Sequence, residues 1–569
     1  MTQLKRRDWW QDAVFYQIYP RSFFDSNGDG EGDIQGITVK LDYIQSLGVD
    51  AIWSCPYFVS PKADNGYDVA DYRDIDPVFG TLDDWKKMIG EIHKRGMKFL
   101  MDLVVNHTSD EHRWFQSARA SKDSPYRDYY IFREGKDGKE PSNWGSIFGG
   151  SAWEYNEATE DYYLHLFAVK QPDLNWGNPR VMDEVADIVA YWADLGVDGF
   201  RLDAFNNSDK DQSFPDVECQ PGEKYGYAGE HYVSRPGVDR YIHELYKRQL
   251  GPRDLVTVAE LAYCPDEKIR QYAAKENEEF DMLYFFDMLN FDQEGYDKFA
   301  PTGFRLSDLK KTLDHWIRAL HGIGYCALFL GNHDQCRPLT RFGNTGEYRV
   351  RSAKTLANAM YFLEGIPYIY QGEELGMINT DFASIDEFND VEVLNYWQEH
   401  VRQKGEDPDK VLKLLNLRSR DTSRSPMPWN DSMYAGFSTV RPWLKVGSQY
   451  RYVNVEAEEK DPDSVLSFYR QLIEIRHGKE AVLHGELKWI DLNSEKHMSY
   501  VRETEDELIL SLNNFTEGEV TVSVAKETDV LHGKILLTNT GRKKLEGSRI
   551  TLQPWECLTY IVRKADTSK

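Results

Sequence analysis

The stretch VADIVAYWADLGVDGFRLD, residues 185–203, contains a complete helix-and-strand unit. Its apolar residues recur three and four positions apart, which is the spacing of one face of an α-helix. These residues are Val185, Ile188, Val189, Trp192 and Leu195. Gly196 follows, as glycine often does where a helix ends, and GFRLD has the short apolar character of a buried strand. The stretch therefore predicts an amphipathic helix leading directly into a strand.

The same pattern of helix, glycine and strand recurs along the chain. Residues 82–105 contain it, with Gly96 before the strand KFLMDLVV, and similar units cover 41–54, 240–260, 307–332 and 352–371. FYQIY near the start and MLYFF at 282–286 supply two more strands. Eight strands alternating with helices predict an α/β fold, a closed (β/α)8 TIM barrel. A doubly wound open sheet is the alternative, but neither GxGxxG nor GxxxxGK[ST] follows any strand.

Two segments interrupt this pattern. Residues 107–175 are rich in Gly, Ser, Asp, Tyr and Trp without helical periodicity, which indicates a subdomain inserted after strand 3. From about residue 487, alternating segments such as SYVRE, ELILSLNNF, VTVSV and LTYIVR indicate an antiparallel β domain. The predicted division is a barrel in two parts, 1–106 and 176–486, an inserted subdomain, 107–175, and a C-terminal β domain, 487–569.

Composition and charge limit the classes of partner. The 569 residues carry a formal net charge of −26, which disfavours nucleic acid and anionic membranes and favours a small neutral substrate. No apolar run is long enough to span a membrane, and Asp and Gln interrupt any apolar segment at the N-terminus, so we expect a cytoplasmic monomer. Six scattered cysteines indicate free thiols, and no motif for an organic cofactor is present.

Polar residues end four of the predicted strands. FLMDLVVNH ends in His107, GFRLD in Asp203, LVTVAE in Glu260, and CALFLGNHD in His333 and Asp334. Barrel enzymes place catalysis at the C-terminal ends of their strands. A single acidic residue at a strand end is more often a helix cap or part of a structural ion pair. Four such ends together indicate a catalytic site.

Two of these carboxyl groups have environments that suggest different roles. Arg201 lies two residues before Asp203 and so faces the same side of the strand, which predicts that it keeps Asp203 anionic, as a nucleophile requires. Glu260 follows the apolar run VTVA, an environment that raises a carboxyl pKa and favours proton donation.

The runs DLVVNH, GFRLD, VAE and GNHD, in this order, resemble the four signature regions of the α-amylase superfamily, glycoside hydrolase family 13. Further runs are similar to its oligo-1,6-glucosidase branch: NGYDVADY (65–72), QPDLNW (171–176), GIPYIYQGEELGM (365–377) and RSRDTSRSPMPWN (418–430). The resemblance implies a retaining, exo-acting α-glucosidase with Asp203 as nucleophile, Glu260 as acid/base and Asp334 as the third carboxylate. It also implies substrate-binding roles for Asp64, Tyr67, His107, Phe167, Arg201, His333 and Arg424.

The sequence motifs are consistent with more than one linkage specificity. QPDLNW looks like the form found in members that act on α-1,6 linkages, such as those of isomaltose and isomaltulose. Ala204, Ala259 and Cys336 depart from that branch, whose members usually carry Val, Gly and Pro there. A sucrose isomerase or transglucosidase, a trehalose-6-phosphate hydrolase and a catalytically inactive scaffold are the alternatives, although the RLDRD-like run of sucrose isomerases is absent.

The acidic loop DSNGDGEGD, residues 25–33, is similar to a calcium-binding loop. It places oxygen ligands at alternate positions, and the resemblance supports a structural Ca²⁺ ion rather than a catalytic one. An EF-hand would need Glu where Gly36 stands, and a glycine-rich acidic turn without an ion is the alternative. The expected ligands are Asp25, Asn27, Asp29, the carbonyl of Glu31, and Asp33.

Overall fold

Eight parallel strands close into a barrel in the computed structural model, which describes residues 9–274, 277–295, 297–524 and 533–563. Each strand pairs with its neighbours in sequence, and the last pairs with the first. The predicted (β/α)8 barrel is therefore confirmed. The strands are β1 (Phe15–Ile18), β2 (Ala51–Ser54), β3 (Lys98–Val104), β4 (Gly199–Asp203), β5 (Val256–Leu261), β6 (Met282–Phe285), β7 (Tyr325–Leu328) and β8 (Ile366–Tyr370).

Amphipathic helices connect the strands. The helix before β3, Leu82–Lys94, begins with a capping box in which Thr81 and Asp84 satisfy each other's backbone N–H groups. Its apolar face is buried, as the sequence pattern predicts. The helices are Ile34–Val39, Leu41–Ser46, Leu82–Lys94, Arg113–Ala120, Pro179–Asp194, Pro236–Leu245, Asp266–Ala273, Leu306–Leu320, Pro338–Phe342, Arg349–Met360, Val391–Trp397, Pro408–Arg418, Val455–Glu459, Val465–His477 and Glu480–His484. Within the described ranges, no helix has the length and apolar character needed to cross a membrane.

A small antiparallel sheet follows β3, where the sequence predicts an insertion. It consists of Phe132–Arg133, Trp153–Asn156 and Asp161–Leu164. Its apolar core also contains Phe214 and Tyr232, which come from the loop after β4. That loop lies in the part of the sequence assigned to the barrel. The insertion after β3 and the loop after β4 therefore share one apolar core.

The C-terminal region forms the predicted antiparallel β domain. Its five-stranded sheet has the order Glu486–Ile490, Ser499–Glu503, Glu507–Asn513, Cys557–Arg563 and Lys534–Thr538, and Val520–Ser523 pairs separately with Arg549–Leu552. Asn358, on a barrel helix, donates to Asn513 Oδ1 at 2.7 Å, so the domain packs on the barrel. Residues 564–569, predicted to belong to it, lie outside the described residues. Two further two-stranded antiparallel sheets lie outside the barrel and this domain. They pair Phe58–Val59 with Asp71–Ile75, and Gln293–Glu294 with Asp297–Pro301.

Candidate active site

The carboxyl side chains singled out from the sequence meet at one end of the barrel. Asp203 is the last residue of β4, Glu260 is the last but one of β5, and Asp334 lies in the segment after β7. All three side chains are largely enclosed, with 11%, 13% and 18% of each exposed. The C-terminal ends of the strands thus form a single polar cavity, as expected for a barrel enzyme.

One guanidinium group holds the two carboxyls that face each other in this cavity. Arg201 contacts Asp203 Oδ1 through Nη1 and Glu260 Oε2 through Nη2, both at 2.6 Å. Asp203 and Glu260 are also close enough to share a hydrogen bond. The alternation of side chains along β4 puts Arg201 and Asp203 on the same face, so the predicted juxtaposition of these groups is observed.

The electrostatics of this group differ from the expectation drawn from the sequence. Burial and the facing Glu260 carboxylate raise the pKa of Asp203 well above its usual range, and burial also raises the pKa of Glu260. Arg201 additionally binds Asp102, at 2.9 Å, and burial raises the pKa of Asp102 to about 7. One guanidinium faces three carboxylates, so the charge of Arg201 does not by itself offset the burial and the neighbouring Glu260 carboxylate that raise the pKa of Asp203. The pKa values of Asp203 and Glu260 therefore belong to the pair and not to either residue alone.

The backbone after β4 contributes a further donor. Ala204 N–H donates to Glu260 Oε2 at 2.9 Å. Ala204 adopts a left-handed conformation, with φ of 43°, which is uncommon for a residue other than glycine. The strained turn thus fixes one oxygen of Glu260 and leaves the rest of the carboxyl toward the cavity.

The third carboxylate lies in a strongly positive environment. Asp334 contacts Arg424 at 2.9 Å, His333 Nε2 at 3.0 Å and Arg420 at 3.3 Å. Burial opposes ionisation, but these groups lower the pKa of Asp334 well below its usual range. Burial lowers the pKa of His333 to about 4, so near neutral pH the two arginines supply the positive charge. Asp334 is therefore ionised.

Asp64 and His107 lie beside these groups. Arg420 binds Asp64 at 3.0 Å, and Gln171 Nε2 lies 3.1 Å from Asp64 Oδ2 and 3.0 Å from His107 Nε2. Burial lowers the pKa of His107 to about 4, so this ring is also neutral. The Phe167 ring lies 5.2 Å from the His107 ring. The structure therefore places Asp64, His107, Phe167, Arg201, His333 and Arg424 around the three carboxyls, and the Tyr67 hydroxyl contacts Asp102 and His333.

Three residues of the site were not singled out from the sequence: Asp102, Gln171 and Arg420. Asp102 begins the run DLVVNH, Gln171 begins QPDLNW, and Arg420 lies in RSRDTSRSPMPWN, so all three belong to motifs that the sequence offers. Nothing in that second run distinguishes Arg420 from Arg424, and both reach Asp334. Arg420 also binds Asp390 through two nitrogens, which fixes its orientation.

The acidic loop is stabilised by its own hydrogen bonds. Asp25 accepts the N–H groups of Gly28 and Gly30 at 2.7 and 2.8 Å, and Asp33 caps the next helix. Glu31 binds Arg21 through its side chain at 2.8 Å. Across the ranges that the structure describes, no three or more His, Cys, Asp or Glu residues are grouped to hold a metal ion. The donors present in the loop are all oxygens, which is the chemistry that Ca²⁺ prefers.

Comparison with known proteins agrees with the fold. Residues 17–485 match the family model of the α-amylase catalytic domain, and residues 498–558 match the α-amylase SusG C-terminal domain. The oligo-1,6-glucosidase of Parageobacillus thermoglucosidasius is 45% identical, covering 98% of this chain and 99% of its own.

Two solved structures are also similar. The trehalose-6-phosphate hydrolase of Bacillus licheniformis is 40% identical with a TM-score of 0.92, covering 97% of this chain and 99% of that one. The trehalulose synthase of Pseudomonas mesoacidophila MX-45 is 38% identical with a TM-score of 0.93, covering 98% and 100%. Proteins that carry three different enzyme names are therefore similar to this chain over nearly its whole length.

Proposed function

The chain belongs to the α-amylase family and is a glycoside hydrolase, and from that premise we propose that it is a retaining, exo-acting α-glucosidase. Its substrates would be short oligosaccharides from which it removes the non-reducing terminal glucosyl residue, with α-1,6 linkages favoured. The observation that carries the proposal is the pair Asp203 and Glu260 held by the single guanidinium of Arg201. The similarity to oligo-1,6-glucosidases supports the linkage preference.

The proposed reaction uses the two carboxyls in turn. Asp203 attacks the anomeric carbon while Glu260 gives its proton to the glycosidic oxygen, so the C–O bond breaks and a glucosyl ester forms on Asp203. Glu260, now a carboxylate, takes a proton from water, which attacks the anomeric carbon and releases Asp203. Retention requires carboxyls about 5 Å apart, and a shared guanidinium favours such a short separation.

The same pair accounts for the protonation state that this reaction needs. Burial raises the pKa values of both Asp203 and Glu260, which favours a proton on one of the two carboxyls. A glycosidic oxygen bound beside Glu260 gives that proton an acceptor, whereas Asp203 keeps its contact with Arg201. Substrate binding thus favours a protonated Glu260 beside an ionised Asp203. The division of roles between the two follows the family resemblance.

The ion pairs of Arg420 support exo action on a terminal glucose. Arg420 contacts both Asp64 and Asp334 and so joins two segments that are distant in the sequence. Ionised Asp334, with its neighbour His333, offers charged and neutral partners for sugar hydroxyl groups. A chain that continued beyond the terminal glucose would meet this ion pair, so we infer that one glucosyl unit fills the cavity.

Charge balance favours a neutral substrate over a phosphorylated one. Each of the arginines Arg201, Arg420 and Arg424 contacts at least one carboxylate of the cavity, so their charges are already balanced. A trehalose-6-phosphate hydrolase from Bacillus subtilis is 42% identical and provides the second candidate function. Initial rates on isomaltose, isomaltulose, maltose, sucrose, trehalose and trehalose 6-phosphate distinguish the two. A preference for the phosphorylated sugar would overturn the first proposal.

The roles of Asp203 and Glu260 can be separated by the stereochemistry of azide rescue. Asp203→Ala and Glu260→Ala should each lose several orders of magnitude in activity on an aryl α-glucoside. Azide should restore turnover in both, giving the β-glucosyl azide with the first variant and the α-glucosyl azide with the second, because it replaces the nucleophile or the incoming water. Asp183→Asn, on the protein surface, is the control. Exchanged products, or near-normal activity of either alanine variant, would contradict the assignment.

We also propose that the loop at residues 25–33 binds a structural Ca²⁺ ion. Alternating side-chain oxygens and the tight turns at Gly28 and Gly30, with φ of 82° and 96°, support a compact oxygen cage. Ca²⁺ would be held by Asp25, Asn27, Asp29, Asp33 and the Glu31 carbonyl, and would stabilise the loop. Chelation should then lower Tm by several degrees while activity at low temperature changes little. An unchanged Tm would contradict the proposal.

We propose a cytoplasmic location on the evidence of the thiols. All six cysteines are free, and five of them are buried. Free thiols persist in reducing compartments. Fractionation of the native host, with detection by antibody, tests the location, and recovery outside the cytoplasm would contradict it.

A further inference from the structure

The side chain of Gln17 contacts the buried ring of His333. It lies on β1, is 1% exposed, and its Nε2 lies 2.8 Å from His333 Nδ1. His333 is fully buried, so both of its ring nitrogens must find partners within the protein. The contacts on its other nitrogen therefore limit what Gln17 can do.

The other ring nitrogen faces two oxygens. His333 Nε2 is 3.0 Å from Asp334 Oδ2 and 2.6 Å from the hydroxyl of Tyr67. Asp334 is ionised because Arg420 and Arg424 contact it, so it can only accept. The Tyr67 hydroxyl donates its single proton to Asp102 Oδ2 at 2.8 Å and is left to accept from the ring. Nε2 must therefore carry the proton.

A neutral imidazole with its proton on Nε2 has a lone pair on Nδ1. Gln17 must then present its NH₂ group, and not its carbonyl, to that nitrogen. We propose that Gln17 is a positioning residue of this enzyme, which holds His333 in the Nε2–H tautomer so that Asp334 faces a donor. The inference rests on the proposed roles of His333 and Asp334 in binding the sugar.

The opposite tautomer would place two lone pairs against each other. With the proton on Nδ1, His333 Nε2 would face the Asp334 carboxylate at 3.0 Å without a hydrogen atom between them. Asp334 would then lose one of its three contacts and rotate or take up a proton. The charged groups around the ring are Asp334, Arg424 and Arg201, and the titratable side chains Tyr67 and Tyr19 also lie against it. Cys55 contacts Gln17 Nε2 at 3.6 Å.

The tautomer can be measured on the wild-type enzyme. Protein labelled with ¹⁵N at histidine gives separate shifts for protonated and unprotonated ring nitrogens, and a His333→Gln variant identifies the resonances of His333. We expect an unprotonated Nδ1 and a protonated Nε2 at pH 7. A protonated Nδ1 would overturn the inference. This measurement does not depend on activity, so its outcome is distinct from that of the proposed glucosidase function.

Two substitutions test the consequence for the reaction. Gln17→Met removes the donor at similar volume, and Gln17→Glu replaces it with an acceptor that draws a proton to Nδ1. We expect kcat to fall about ten- to hundred-fold in both variants, the range of one buried hydrogen bond left unmade. KM should change less than kcat, and Gln17→Glu should add an ionisation to the pH profile.

Gln45→Glu, at an exposed glutamine bonded to the Arg95 carbonyl, is the matched control and should leave both parameters unchanged. A folded Gln17→Met variant with wild-type kcat and pH profile would refute a positioning role.

Discussion

Arg201 offers the sharpest test of how the catalytic cluster works. Its guanidinium lies within 2.6 Å of both Asp203 and Glu260 and within 2.9 Å of Asp102. Arg201→Met keeps an unbranched side chain of similar length and removes the only charge shared by these carboxyls. The substitution therefore changes the protonation of the pair more than its packing.

The expected loss follows from the two contacts to the reacting groups. A hydrogen bond to a charged group contributes about 1.5–3 kcal/mol, so losing both costs about 3–6 kcal/mol. At about 1.36 kcal/mol per tenfold, kcat/KM should fall by about 10²–10⁴. Removing a cation also raises the pKa at which the carboxyl pair loses its first proton. Because turnover needs an ionised Asp203, the acidic limb of the pH–rate profile should move to higher pH.

The assay is kcat/KM for an aryl α-glucoside measured between pH 4 and pH 9. Arg201→Lys, which keeps the charge but cannot bridge two carboxyls, should lie between the wild type and Arg201→Met. Arg248→Met, at a surface ion pair with Asp183, is the control for loss of an arginine. Activity within tenfold of the wild type, with an unshifted acidic limb in folded Arg201→Met, would refute this account.

Three further predictions concern other parts of the molecule. Arg420→Lys should lower kcat/KM for isomaltose at least about tenfold, because one ammonium group cannot reproduce the guanidinium's contacts with Asp64, Asp334 and Asp390. Unaltered kinetics would contradict a role of Arg420 in the active site. In the folded enzyme an aromatic disulfide reagent should react quickly with Cys219, and with the five buried thiols only after denaturation. Rapid reaction of several thiols in the folded enzyme would contradict the observed burial. Deletion of residues 487–569 should abolish cooperative unfolding, because Asn358 and neighbouring backbone carbonyls lose their partners in the β domain; a sharp transition at the wild-type Tm would contradict this.

The barrel and the polar residues at the ends of its strands could be predicted from the sequence because the signals are local. A helix face, a glycine and an apolar strand occupy about twenty consecutive residues, as in 185–203, and each strand end carries its polar residue with it. Arg201 and Asp203 are two positions apart, so strand geometry alone puts them on one face. The same reasoning located Glu260, His333 and Asp334 without knowledge of their partners.

Contacts between distant segments required the folded protein. Arg420 is 356 residues from Asp64 and 86 from Asp334 in the sequence, and Gln17 is 316 from His333. No local sequence pattern encodes contacts between such distant residues. The folded structure is therefore needed to identify Arg420 as the arginine that contacts Asp64 and to infer the tautomer of His333. The raised pKa values of Asp203 and Glu260 have the same origin, because β3, β4 and β5 bring three buried carboxyls to one guanidinium. Their pKa values depend on that enclosure and not on neighbours in the sequence.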